Sequence, residues 1–180
     1  IACLLAREMG HVWIGYEPFR YRNRKLDPSF EGRWLHRTLP LFLDQGSLVT
    51  DSFTRSCERW ARQPTAVIKF IRANGRIVVI NRTVRPDLSL LIVRDLYEVL
   101  SSIATRNWSL VESRGEWTRL CHWARELYPF LDELKCLRPT TDKLLQSAVY
   151  WFIMNRYALD HLEGTLVIRY SQLDRLPELL

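Results

Sequence analysis

Short apolar runs alternating with longer stretches of helical periodicity predict an α/β fold built on a parallel sheet. Three observations carry that expectation. The run Leu88-Ser89-Leu90-Leu91-Ile92-Val93 stops abruptly at Arg94-Asp95, and a helical pattern follows at once. A second apolar run, 66–70, follows a segment of helical spacing. A third, 166–170, follows a long amphipathic stretch that ends at Gly164. Such strand–helix alternation is the pattern of βαβ units, whose strands lie parallel because each crossover passes through a helix.

Taken in order, residues 2–9 have a helical pattern and 12–15 form a short strand. Residues 27–30 are a turn. Segments 34–43 and 52–62 carry apolar residues at helical spacing; Asp51 or Ser52 caps the second and Pro64 follows it. After the strand 66–70, Asn74-Gly75 signals a turn, and 76–84 fits either helix or strand. Pro86-Asp87 leads into the run before Arg94, and a helix is expected over 97–106. Segments 116–131 and 142–161 predict long amphipathic helices. No repeat or low-complexity segment interrupts the chain, so one domain is expected over residues 1–180.

Composition narrows the function classes. With 180 residues and 47% hydrophobic content the chain can bury a compact core, and seven each of Trp, Tyr and Phe argue against disorder. The formal net charge of +6, with a sequence pI of about 9.4, favours anionic ligands. Its basic residues are dispersed, Arg20-Tyr21-Arg22-Asn23-Arg24-Lys25 being the one dense cluster, and no nucleic-acid-binding signature accompanies it. Nucleic acid is therefore not expected as a partner. Cys3, Cys57, Cys121 and Cys136 lack the spacing of a metal site; Cys121 and Cys136 either bridge or remain buried thiols. There is no run of eighteen or more apolar residues.

Arg94 stands at the carboxyl end of its strand, the edge where open α/β sheets bind anionic ligands. Its planar guanidinium suits a phosphate. Ser102 follows eight positions later, about two helical turns, and can offer a hydroxyl to the same group. The alternative is a strand-end arginine paired with Asp95 before a solvated helix.

Val93-Arg94-Asp95-Leu96-Tyr97-Glu98-Val99-Leu100-Ser101-Ser102 resembles the segment of sulfotransferases in which an Arg-Asp-Pro turn is followed by a distal serine. It departs from that pattern at Leu96 and Tyr97, where the family usually has Pro and often Arg. Val12-Trp13-Ile14-Gly15-Tyr16-Glu17-Pro18-Phe19 is similar to the strand and Glu-Pro turn of carbohydrate and tyrosyl-protein sulfotransferases. Val67-Ile68-Lys69-Phe70-Ile71-Arg72 resembles the family's strand with Lys and a following Arg. Leu166-Val167-Ile168-Arg169-Tyr170-Ser171-Gln172-Leu173, with Pro177 after it, resembles the Arg-Tyr-Glu-Asp-Leu segment near the domain's end, with Ser171-Gln172 in place of Glu-Asp. The four matches occur in the family's order.

The resemblance implies a P-loop-type three-layer fold with a central parallel sheet. It also implies sulfuryl transfer from 3'-phosphoadenosine-5'-phosphosulfate to a hydroxyl, with a carbohydrate favoured and no metal; it favours the Golgi lumen and leaves the cytoplasm open as the alternative. Arg94 and Ser102 would hold the donor's 3'-phosphate. Glu17 would be the general base or an acceptor contact, its alternative being a surface carboxylate paired with Arg20. Lys69 would neutralise the donor or substrate, its alternative being an ordinary strand-end lysine. Arg72 has less support as a phosphate or acceptor contact. Ile1-Ala2-Cys3-Leu4-Leu5-Ala6-Arg7 resembles the helix after the family's phosphate loop. The expectation is thus a partial catalytic domain without its first strand and phosphate loop, inactive alone, with any membrane anchor outside it. Two rivals stay open: another P-loop transferase of kinase type, which would need magnesium, and a non-catalytic homologue acting as a binding module.

Overall fold

The computed structural model describes residues 13–16, 58–59, 61–62, 66–69, 77–111 and 114–179. Helices and strands are mixed among them. The strands are β1 (Trp13–Tyr16), β2 (Ala66–Lys69), β3 (Ser89–Val93) and β4 (Thr165–Arg169). The helices are α1 (Ile77–Val84), α2 (Leu96–Arg106), α3 (Arg114–Leu127), α4 (Phe130–Glu133), α5 (Lys143–His161) and α6 (Leu176–Leu179), with a 3-10 helix, Tyr170–Arg175, after β4. The chain divides into two compact units, Ile1–Leu90 with Asp160–Leu166, and Leu91–Leu159 with Val167–Leu180. The predicted helices at 2–9 and 34–43, the turns at 27–30 and 74–75, and most of the helix at 52–62 lie outside the described residues; Glu58, Arg59 and Ala61 are helical.

In the first unit β1 and β2 pair in parallel, from Trp13 opposite Ala66 to Tyr16 opposite Lys69. Parallel neighbours need a crossover of a dozen residues or more, and residues 17–65 supply one. β1 at Trp13–Tyr16 overlaps the strand expected over 12–15 and β2 at Ala66–Lys69 that expected over 66–70, with Val12 and Phe70 outside the described residues. The ambiguous segment 76–84 is a helix, α1, despite its β-branched content. Val78 and Ile80 are buried, so packing overrides intrinsic preference there. The helix ends at Arg85, whose φ of 50° leaves the right-handed region just before Pro86. Ser89 Oγ then donates to Asn81 Oδ1 at 2.6 Å, tying the start of β3 back to α1.

In the second unit β3 is hydrogen-bonded to β4, with Leu91 and Ile168 as the buried residues of the two strands. α2 starts one residue earlier than predicted because Asp95 caps it, accepting from the amides of Tyr97 (2.8 Å) and Glu98 (3.2 Å). It closes with Asn107 in the left-handed region, where the Asn107 amide donates to Ala104 O and the Trp108 amide to Ile103 O.

The predicted helix over 116–131 is two helices, because Pro129 has no amide hydrogen with which to continue α3. Lys135, in the left-handed region, ends the short α4 by the same double closure, to Asp132 O and, through Cys136, to Leu131 O. Arg125 fastens this corner, its Nε to Asp132 Oδ1 (3.2 Å) and its Nη2 to Leu137 O (3.0 Å). α5 begins at Lys143, not Asp142; the Asp142 carboxylate is its cap, accepting from Leu144 and Leu145. Gly164 takes the left-handed turn before β4, which runs over Thr165–Arg169 rather than 166–170.

The core of this unit forms where α3 and α5 present helical stripes. Trp117, Leu120, Cys121 and Ala124 are buried on α3, and Val149, Tyr150, Ile153, Met154, Tyr157 and Ala158 on α5. Trp123 and Tyr157 meet at 5.1 Å between ring centroids, and Tyr128, Phe130 and Phe152 meet edge to face at 5.8–6.4 Å. A buried hydroxyl joins the two helices' flanks: Ser147 Oγ accepts from the Leu110 amide at 3.2 Å. Cys121 and Cys136 are free thiols, so the bridge between them is not formed.

Candidate functional site

β3 ends at Val93, and Arg94 is the next residue, ahead of the Asp95 cap. Its alternative pairing with Asp95 does not occur. Asp95 spends its Oδ1 on the first amides of α2, and Arg94 Nε donates instead to Glu98 Oε2 at 3.0 Å. The guanidinium carbon also sits 5.3 Å from the centroid of the Tyr170 ring, within cation–π range. Among the described residues Nη1 and Nη2 make no hydrogen bond, and the Arg94 side chain is 43% exposed. Arg94 therefore keeps two donors without a hydrogen bond among the described residues, on a partly exposed side chain at the end of a strand.

Ser102 is half-buried and one helical turn past Glu98. Glu98 and Ser102 thus share one stripe of α2, about 6 Å apart along its axis. Arg94 is held to the first of these residues. A phosphate reaching from Arg94 towards Ser102 would meet the Glu98 carboxylate between them. Such an exposed ion pair stabilises by about 0–1 kcal/mol, and an anion taken up by Nη1 and Nη2 would have that pair beside it.

The departures from the sulfotransferase pattern have local explanations. Tyr97 is 81% exposed and lies in the first turn of α2, where Asp95 has already set the chain direction. Gln172 Oε1 accepts from the Arg169 amide at 3.1 Å and so shapes the 3-10 helix after β4. Ser171 is exposed.

The backbone of Lys69 is the last residue of β2, and the parallel register sets it opposite Tyr16. Glu17 follows Tyr16 directly in the sequence but lies outside the described residues, as do Arg72, His11, His36, Cys3 and Cys57. The pairing thus brings the carboxyl end of β1, which precedes Glu17, level with Lys69.

The remaining reactive side chains are placed against a catalytic role. Burial pushes the Cys121 thiol up to about 11, with Arg125 opposing and Asp132 reinforcing the shift, so it is a poor nucleophile at neutral pH. His122 is exposed and faces Glu126 at 3.5 Å on α3. Among the described residues no three His, Cys, Asp or Glu side chains are grouped to hold a metal, and no helix is long and apolar enough to cross a membrane.

Reasoning from sequence missed Glu98, for which the four-residue spacing from Arg94 was a readable signal, and it took Arg169 and Tyr170 as stabilising the last strand rather than contacting ligand. No protein-family model, curated protein or solved structure matches the chain.

Proposed function

We propose that this chain is part of a sulfotransferase catalytic domain of P-loop type. It would move a sulfuryl group from 3'-phosphoadenosine-5'-phosphosulfate to a hydroxyl, with a carbohydrate the favoured acceptor. The observation that carries the reading is Arg94. It follows the last residue of β3 directly, is anchored through Nε, has Nη1 and Nη2 open among the described residues, and has Ser102 two turns along the following helix. The likeness of four segments, in order, to the family's motifs supplies the identity of the anion.

In this reading Arg94 and Ser102 hold the 3'-phosphate, which fixes the nucleotide while the reacting end lies elsewhere. The acceptor oxygen attacks sulfur, the bond from sulfur to the bridging phosphate oxygen breaks, and adenosine 3',5'-bisphosphate leaves. Glu17 takes the acceptor's proton, and Lys69 offsets the charge that develops on the leaving phosphate. The parallel β1–β2 register supports pairing these two roles, since Lys69 is level with the residue before Glu17.

The test is binding of adenosine 3',5'-bisphosphate, with adenosine 5'-monophosphate as the control lacking the 3'-phosphate. The bisphosphate should bind more tightly. Arg94→Ala should remove most of that advantage, a loss of about 1.5–3 kcal/mol, measured by titration calorimetry. Equal binding of both nucleotides would refute the reading.

A further inference from the structure

We infer that Tyr170 is a positioning residue of the Arg94 anion site, acting through the face of its ring; the inference rests on the function proposed above. Arg94 is the first residue past β3 and Tyr170 the first past β4, and β3 and β4 are hydrogen-bonded neighbours. The contact between their side chains therefore brings the carboxyl ends of both strands to one edge. Seventy-six positions separate them in the chain, so the pairing of the sheet creates the contact.

The guanidinium needs such a support. A single hydrogen bond, Nε to Glu98, fixes one corner of a long side chain that otherwise samples several rotamers. An aromatic face 5.3 Å from Cζ supplies a second restraint, attractive through the ring's quadrupole. The two contacts leave Nη1 and Nη2 without a hydrogen bond among the described residues, so a phosphate can take both. Glu98 alone would hold Arg94 equally well in orientations that turn those donors aside.

The burial pattern separates this role from a packing one. In β4 the inward residue is Ile168, 1% exposed, whereas Tyr170 is 52% exposed. Its hydroxyl is not what the contact uses. Phenylalanine at this position preserves the ring face, and leucine removes it at similar size.

The experiment measures dissociation constants of adenosine 3',5'-bisphosphate and adenosine 5'-monophosphate on the intact protein, and takes their ratio as the contribution of the 3'-phosphate. Tyr170→Leu should lower the ratio about two- to fivefold, the size of an exposed cation–π contact. Tyr170→Phe should leave it unchanged. In an Arg94→Ala background, Tyr170→Leu should have no further effect. The Arg94 Nε–H resonance should move in Tyr170→Leu and hold its place in Tyr170→Phe, which reports the contact without any nucleotide. An unchanged ratio in Tyr170→Leu overturns the positioning role. So does the same loss in the Arg94→Ala background, or an equal loss in Tyr170→Phe. If the intact protein binds the two nucleotides equally, or Arg94→Ala leaves the ratio intact, the sulfotransferase reading itself fails and Tyr170's role falls with it.

Discussion

Arg94 shows how one side chain's meaning depends on what holds it. Four positions away, Glu98 takes its Nε; seventy-six positions away, Tyr170 covers its face. The first partner follows from helical spacing and was legible in the sequence. The second depends on which strands become neighbours, and no local pattern encodes that. Cys121 is a residue-scale case with a pH consequence. Its thiol titrates at about 11 in the folded chain against 9.0 ordinarily, burial being the main cause. A raised value means the folded state keeps a proton that the unfolded chain gives up first. The stabilisation is complete below about pH 9 and is lost as pH rises towards 11. Urea unfolding of the unaltered chain and of Cys121→Ala should therefore give stabilities whose difference is constant from pH 7 to 8.5 and shifts against the unaltered chain above pH 9. A parallel pair of curves through pH 11 would show that the thiol does not titrate differently in the two states.

At the scale of elements, side-chain carboxylates and prolines decide where helices begin and end. The sequence reading found each long helix but misplaced its limits, for identifiable reasons. Asp142 was counted inside α5, whereas it accepts from the Leu144 and Leu145 amides and stands before it. The hydrophobic spacing over 116–131 continues through Tyr128, Phe130 and Leu131, yet Pro129 divides the backbone there. Segment 76–84 was undecidable from its β-branched residues, since their preference and the helical stripe disagree and only packing chooses. Asp95 is the cap with functional weight, because it sets the turn on which Arg94 leaves β3. Asp95→Ala should cost about 1 kcal/mol of stability and also weaken the preference for the 3'-phosphate, while Asp95→Asn should retain most of both. Chemical denaturation and the two-nucleotide titration check the pair. If Asp95→Ala lowers stability and leaves the nucleotide preference whole, the cap serves α2 alone.

For the whole molecule, the α/β character and the parallel strand pair agree with the sequence pattern, while the layered P-loop architecture rests on family likeness. The parallel register has the larger consequence for chemistry. In a parallel pair all carboxyl ends fall at one edge, so residues far apart in sequence that follow two strands become neighbours without any side-chain contact having been selected for it. Tyr16 opposite Lys69 is that situation, and Glu17 is the next residue after Tyr16. In the sulfotransferase reading, a general base following Tyr16 would need a nearby cation to keep it ionised, the role that reading gives Lys69. No described histidine is better placed, His122 being tied up with Glu126 on α3. In the intact protein Glu17→Gln should therefore cut the turnover of sulfuryl transfer by roughly 10²–10⁴ while leaving the affinity for adenosine 3',5'-bisphosphate nearly unchanged, because glutamine keeps the shape and loses the basicity. Lys69→Met should also lower turnover, since the developing charge on the leaving phosphate loses its counter-ion. Turnover that survives in Glu17→Gln while acceptor KM rises would make Glu17 an acceptor contact. If neither constant changes, the carboxylate is structural and the proton goes to another group.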